Sequence, residues 1–202
     1  MMRIYFYTCK RYTCKNVFLN YMESRLYSGT ATLEEIRRWL TNRYYFEETM
    51  MRKDCIVLER SDDHEFRKVW VKRVTESQAP GGGLDQWLEM CESAGVQDVH
   101  DVSPDAKKAC DEYLAWCRTA PWKTVVAASL SQIRAAMNHT EKTLHWPSFY
   151  PTINWGYFVV RKDQAREDSQ KCLEFIEQWD LSQSEISLAL NLKRQLLSDV
   201  AS

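Results

Sequence analysis

The chain has little of what usually marks a function. Glycine and proline are scarce, at six and five among 202 residues, and each stands where a helical pattern starts or stops. That leaves too few turn residues for a β-sandwich or barrel. Long apolar runs are missing: a run such as Val125 to Leu130 is far short of the ~20 residues that a bilayer-spanning helix needs. Met1-Met2-Arg3-Ile4-Tyr5 lacks the continuous apolar stretch of a signal peptide, so a soluble cytoplasmic protein is expected. An excess of one charge is missing too, with 27 basic against 28 acidic residues and no polybasic block. This argues against nucleic acid and against a membrane surface as partners. The seven cysteines are odd in number and include no Cys-x-x-Cys, which predicts reduced thiols packed mainly as small core hydrophobes.

Motifs specific to one chemistry are absent as well. There is no dinucleotide fingerprint, phosphate loop, Gly-x-Ser-x-Gly or His-Glu-x-x-His. Gly81-Gly82-Gly83 follows no strand and reads as a connector. The four histidines, His64, His100, His139 and His145, include no pair spaced for one metal on one helix face. A di-iron bundle would need Glu-x-x-His sets, and Gln132 and Ala135 do not supply one.

What is present is helical periodicity broken by clean punctuation, which predicts an all-α bundle of seven or eight helices. The helices expected are Lys15–Tyr27, ended by Gly29; Thr32–Glu59, opened by the capping box Thr32-x-x-Glu35; and one capped by Ser61-Asp62-Asp63 that stops before Pro80. Leu84–Ala94, a helix opened by Ser103-Pro104, Trp122–His145 ended by Trp146-Pro147, Gly156–Trp179, and a last one opened by Ser182-x-x-Glu185 complete the set. Residues 1–15 show no helical face and are set apart as an arm, with residues 16–202 forming a single domain.

The second helix carries an anomaly. Trp39, Arg43, Phe46, Glu47 and Met50 share one face, so a guanidinium and a carboxylate sit amid aromatic residues. They either neutralise each other or meet a charged ligand. His139 stands in the interior of the sixth helix on a face shared with Ala128, Gln132 and Ala135.

Several short pieces, in order, resemble the pyrroloquinoline quinone biosynthesis protein C (PqqC) family within the TenA/heme-oxygenase-like helical fold. They are Asn42-Arg43-Tyr44-Tyr45, Lys53-Asp54, Trp70-Val71-Lys72-Arg73, Gly82 to Leu88, Asp111 to Leu114, Ser129-Leu130, His139 through Pro151, and Gly156-Tyr157-Phe158. The resemblance implies a cofactor-independent oxidase that completes a tricarboxylated quinone with molecular oxygen as co-substrate and no metal or organic cofactor. It implies a small anionic, aromatic or quinone-like ligand and a homodimer. Arg43, Glu47, Lys53, Arg73, Gln132 and Lys193 then fall at ligand-binding positions, and His139 and Tyr113 at catalytic ones.

The pattern also departs from that family. Ser77 stands for its proton-donating histidine, in a loop shortened to Gln78-Ala79-Pro80, and Asn16-Val17 replaces its histidine-rich stretch. Val159 and Asp163 fall at its oxygen-holding tyrosine and arginine, while Gln132 and Glu47 exchange its glutamate and glutamine. Divergent activity is therefore expected. Two alternatives remain: a metal-dependent oxygenase of the same fold, such as an aminobenzoate synthase, with Glu76 near its first ligand position, and a non-catalytic paralogue that binds a ligand or partner protein.

Overall fold

The computed structural model describes residues 21–201, with the side chains of 133–137 set aside. The expected arm over 1–15, the start of the first helix, Cys9, Cys14, Asn16-Val17 and the side chains of Ala135 and Ala136 lie outside the described residues. Among those described there are nine α-helices, one 3-10 turn and no strand: α1 Tyr21–Ser28, α2 Leu33–Arg60, α3 His64–Gln78, α4 Gly83–Ser93, α5 Pro104–Thr119, α6 Trp122–Ala127, the 3-10 turn Ala128–Ser131, α7 Gln132–Phe149, α8 Gly156–Gln178 and α9 Gln183–Val200.

The helix ends form for the reasons legible in the sequence. Thr32 Oγ1 accepts from the Glu35 amide at 3.2 Å while Glu35 Oε2 accepts from the Thr32 amide at 2.7 Å, a closed capping box. Ser182 and Glu185 repeat it at the start of α9. Asp63 and Ser103 cap α3 and α5, with Pro104 in the first turn of α5. Gly29, at φ +68°, ends α1 in the left-handed region.

Two expectations need correction. The single helix expected over Trp122–His145 is broken into α6, the 3-10 turn and α7. Its small residues Ala127, Ala128 and Ser129 are buried, and the tightened turn there lets Ser129 and Gln132 meet side chains of α2 and α3. Nor does Trp146-Pro147 end the helix. It continues to Phe149, and the Tyr150 amide still bonds to the Trp146 carbonyl at 2.9 Å. A proline within the last turn removes only one intrahelical bond, which the remaining bonds tolerate.

The 28 residues of α2 span roughly 42 Å at ~1.5 Å per residue, and the helix touches α1, α3, α4, α5, α6 and α9. It passes through two apolar cores. Ile36, Trp39, Leu40 and Tyr44 join Trp87, Trp146, Trp155, Tyr157 and Phe158 in one; Phe46 and Val57 join Phe66, Trp70, Tyr113, Val125 and Ile176 in the other. Helix α8 makes the same passage, with Tyr157 and Phe158 in the first core and Cys172, Leu173 and Ile176 in the second. Polar side chains gather near the crossover: Asn42, Arg43 and Glu47 on α2, and Arg161, Gln164, Asp168 and Ser169 on α8. Among the described residues, no helix is long and apolar enough to cross a membrane.

Candidate functional site

Lys53 and Arg73, expected at ligand-binding positions, belong to a buried charge network. Lys53 Nζ lies 2.6 Å from Asp54 Oδ1 and donates to Ser129 Oγ at 3.0 Å. Arg73 Nε lies 2.9 Å from Asp54 Oδ2, and Nη1 lies 2.6 Å from Asp168 Oδ2 and 3.2 Å from Gln132 Oε1. Trp70 Nε1 donates to Asp54 Oδ1 at 3.1 Å. Burial favours the neutral acid at Asp54, but Arg73 and Lys53 outweigh it and hold the carboxyl at about 2. Arg73 is likewise opposed by burial and held charged by Asp54 and Asp168. Two cations and two carboxylates thus cancel inside the bundle. A narrow cleft between α3 and α8, bordered by Arg73, Ser77, Arg161, Gln164 and Asp168, reaches the network from outside; its volume of about 30 Å³ admits little more than water. Ser77 turns its hydroxyl back to the Val74 carbonyl at 2.9 Å.

The second group surrounds His139. Its ring packs 5.2 Å from Phe158 and 6.3 Å from Tyr157, and its Nδ1 is buried with no hydrogen-bond partner. Burial, reinforced by Lys142, Arg161 and Arg43, holds the imidazole at about 2, so it is neutral at any physiological pH. Lys142 is held at 2.5 Å by Glu23. Arg43 forms the ion pair weighed from the sequence, its Nη2 3.5 Å from Glu47 Oε1, and lies 4.0 Å over the Phe46 ring. Both partners are partly exposed at 20% and 17%, so α2 opens the group to solvent here. Glu47 also reaches Tyr157, whose phenol is pushed up by burial first and by Glu47 second.

Lys193 and Tyr113 face each other beside these groups. Lys193 Nζ lies 4.1 Å from the centre of the Phe46 ring and 5.6 Å from that of Tyr113, and donates to the Met50 sulfur. The Tyr113 hydroxyl is buried beside the Cys117 thiol, without a hydrogen bond of normal geometry. Lys53, Arg73 and Gln132 therefore meet in one network, Arg43, Glu47 and His139 in another, and Lys193 within electrostatic reach of both.

The sequence reading missed several members. Val159, placed at the tyrosine position, is 49% exposed, and Asp163, placed at the arginine position, also faces solvent. Two residues upstream, Tyr157 and Arg161 have the same residue types at the same spacing and flank His139. The signal that finds them is burial along α8, where Tyr157 is buried and Val159, placed by the resemblance, is exposed. Asp54, Asp168 and Lys142 were missed because a helical pattern does not distinguish a buried charge from a solvated one. Among the described residues, no group of three or more His, Cys, Asp or Glu is arranged to hold a metal ion.

A model of the TENA/THI-4/PQQC family matches residues 23–188. Curated relatives include the pyrroloquinoline-quinone synthase of Ectopseudomonas mendocina, 34% identical over 154 residues, with 71% of this chain and 62% of the relative covered. The pyrroloquinoline-quinone synthases of Pseudomonas syringae pv. tomato and Pseudomonas aeruginosa are 33% and 32% identical over 154 residues, again with 71% of this chain and 61% and 62% of theirs covered. The chain spans about three fifths of the length of these relatives. With the match covering most of the chain and running through α2, α7 and α8, this protein belongs to the TENA/THI-4/PQQC family.

Proposed function

We propose that this PqqC-like protein binds a small anionic, aromatic, quinone-type compound against the interior polar face of α2, α7 and α8. We further propose that it acts on this compound as an oxidoreductase with molecular oxygen, using no metal or organic cofactor. The observation that carries the reading is the buried, unpartnered His139 Nδ1, faced by the cations Arg43, Arg161 and Lys142. A ligand oxygen there would meet a neutral imidazole N–H and nearby positive charge, a pairing worth far more inside a protein than in water. The names of the relatives point to the same ligand class. Tyr157 and Arg161, two residues before the positions Val159 and Asp163 that the resemblance pairs with an oxygen-holding tyrosine and arginine, offer a phenol and a guanidinium near His139.

Ser77 lowers the rate in this reading. A serine does not exchange protons near neutral pH, and a positioned acid–base group contributes roughly 10² to 10⁴-fold. Ligand binding is accordingly the better retained half of the function. The homodimer and the cytoplasmic location belong to the same proposal, and sedimentation reads the first.

The direct experiment titrates the protein with pyrroloquinoline quinone, following tryptophan fluorescence and quinone absorbance. Saturable binding is expected, and Arg43→Ala should weaken it by roughly 10 to 100-fold, the value of one charge-assisted hydrogen bond of ~1.5 to 3 kcal/mol. No binding, or binding indifferent to Arg43, overturns the reading. For the metal-dependent alternative, elemental analysis after growth with added iron should show about two metals per chain.

A further inference from the structure

Three lysines are buried among the described residues: Lys53, Lys142 and Lys193, at 2%, 5% and 8% exposure. Two of them hold a carboxylate, Lys53 at 2.6 Å from Asp54 and Lys142 at 2.5 Å from Glu23. Lys193 holds none. Its nitrogen meets the Met50 thioether, a weak acceptor, and sits between the Phe46 and Tyr113 rings. A cation–π contact is a poor substitute for a counter-ion here, because the Arg43 guanidinium already lies 4.0 Å from the same Phe46 ring. An ammonium without a carboxylate in such a place is costly, and the usual outcome is a neutral amine.

We propose that Lys193 is an amine nucleophile that captures a carbonyl carbon of the bound aromatic compound as an imine; this rests on the site reading given above. The Nζ lone pair forms the new C–N bond, and the carbonyl π pair moves to oxygen, which takes up a proton while nitrogen releases one. The carbinolamine hydroxyl then takes up a proton and leaves as water, and the iminium nitrogen releases its remaining N–H proton to give the C=N bond, so no oxidant or reductant is consumed. Tyr113, with its hydroxyl unpartnered and its ring centre 5.6 Å from Nζ, is the acid at hand for the oxygen. Arg43, Glu47 and Met50 on α2 are partly exposed, and Met50 is in contact with Lys193.

The surroundings support a neutral amine. Burial, then repulsion from Lys53 and Arg43, holds Lys193 well below the ordinary lysine range, while Glu47 and Asp54 pull the other way. The thiols facing it, Cys110 and Cys117, are both pushed up by burial and remain uncharged, so they add no compensating anion. Tyr113, pushed well above its ordinary value by burial, stays protonated as the proton donor requires.

The test uses the full chain, 4-carboxybenzaldehyde as an aromatic, anionic carbonyl probe, and cyanoborohydride to fix any imine, read by intact mass and peptide mapping. A surface lysine of pKa ~10.4 is neutral in only about one molecule in 10³ at pH 7, so its labelling should climb about tenfold per pH unit. Lys193 should instead be labelled first, with a pH dependence clearly shallower than that tenfold climb. Lys193→Met, which suits the apolar surroundings, should lose that one adduct and keep its fold. The wild-type pH profile decides the matter even if the variant misfolds. Labelling of Lys193 no faster than surface lysines overturns the proposal. Quinone binding without the adduct overturns it while leaving the anion site standing; the adduct without quinone binding supports the nucleophile and removes the anion site.

Discussion

Replacing Asp54 with asparagine tests whether the charge network is a closed unit. The native group contains Lys53 and Arg73 against Asp54 and Asp168, two charges of each sign and a net of zero. Asp54→Asn keeps the shape and an acceptor for Trp70 Nε1, yet leaves one positive charge uncompensated in the interior. Breaking a buried pair in this way costs ~3 to 5 kcal/mol. The acid's own displacement gives a similar figure. A fall from 3.8 to about 2 corresponds to roughly 2 to 3 kcal/mol at ~1.4 kcal/mol per pH unit. For a domain of this size ~3 kcal/mol lowers Tm by roughly 6 to 12 °C, which calorimetry or circular dichroism resolves. The decisive comparison is the double variant Lys53→Met with Asp54→Asn, which restores neutrality by leaving only Arg73 and Asp168. It should recover at least ~1 kcal/mol relative to Asp54→Asn alone. A double variant as unstable as the sum of the two single ones would show that compensation is not what holds these groups. Because the folded pKa of Asp54 is depressed, its stabilisation is present above about pH 4 and lost as pH falls through about 2.

His139 predicts a separate acid sensitivity. Its folded pKa of about 2 lies below the ordinary 6.5, so the unfolded state binds the extra proton and stability declines by up to ~1.4 kcal/mol per pH unit below about pH 6.5. Denaturant melts of wild type and His139→Gln from pH 7 to 4 should show that slope reduced in the variant, and an imidazole that titrates near 6.5 in the folded wild type refutes the reading. Tyr113→Phe removes a buried hydroxyl without a partner, so Tm should stay within ~1 °C or rise; a fall of several degrees would reveal a partner.

Much of this architecture is legible in sequence. Capping boxes at Thr32 and Ser182, Asp63 and Ser103 as caps, and Gly29 as a terminator act through near neighbours, and they fix the helix ends where expected. The 3-10 turn at Ala128–Ser131 escaped because its cause is tertiary: Ser129 and Gln132 bond to residues on other helices. Arg43, Glu47, Lys53 and Arg73 were singled out on sequence grounds, but their partners lie 4 to 95 residues away in the chain or next door to it, as with Arg73 and Asp168 or Lys53 and Asp54. Spacing alone therefore did not reveal that Lys53 and Arg73 were already neutralised. On α8, Val159 is an apolar residue that faces water, and only burial reassigns the inward register to Tyr157 and Arg161.

Helices α2 and α8 each anchor in two separate apolar cores, with their polar residues grouped near the passage between. Each helix is thereby held at both ends by apolar packing, independently of the partly exposed Arg43–Glu47 pair between. The cores can hold the bundle while Glu47, in its partly exposed pair with Arg43, is exchanged for glutamine of nearly equal shape, a freedom that the buried Asp54 does not share. An isosteric exchange at that pair is small beside the cost of unfolding. Tolerance to substitution lies at the partly exposed Arg43–Glu47 pair, and constraint in the Asp54 network, the tryptophans on one side and the Phe66–Trp70 stack on the other.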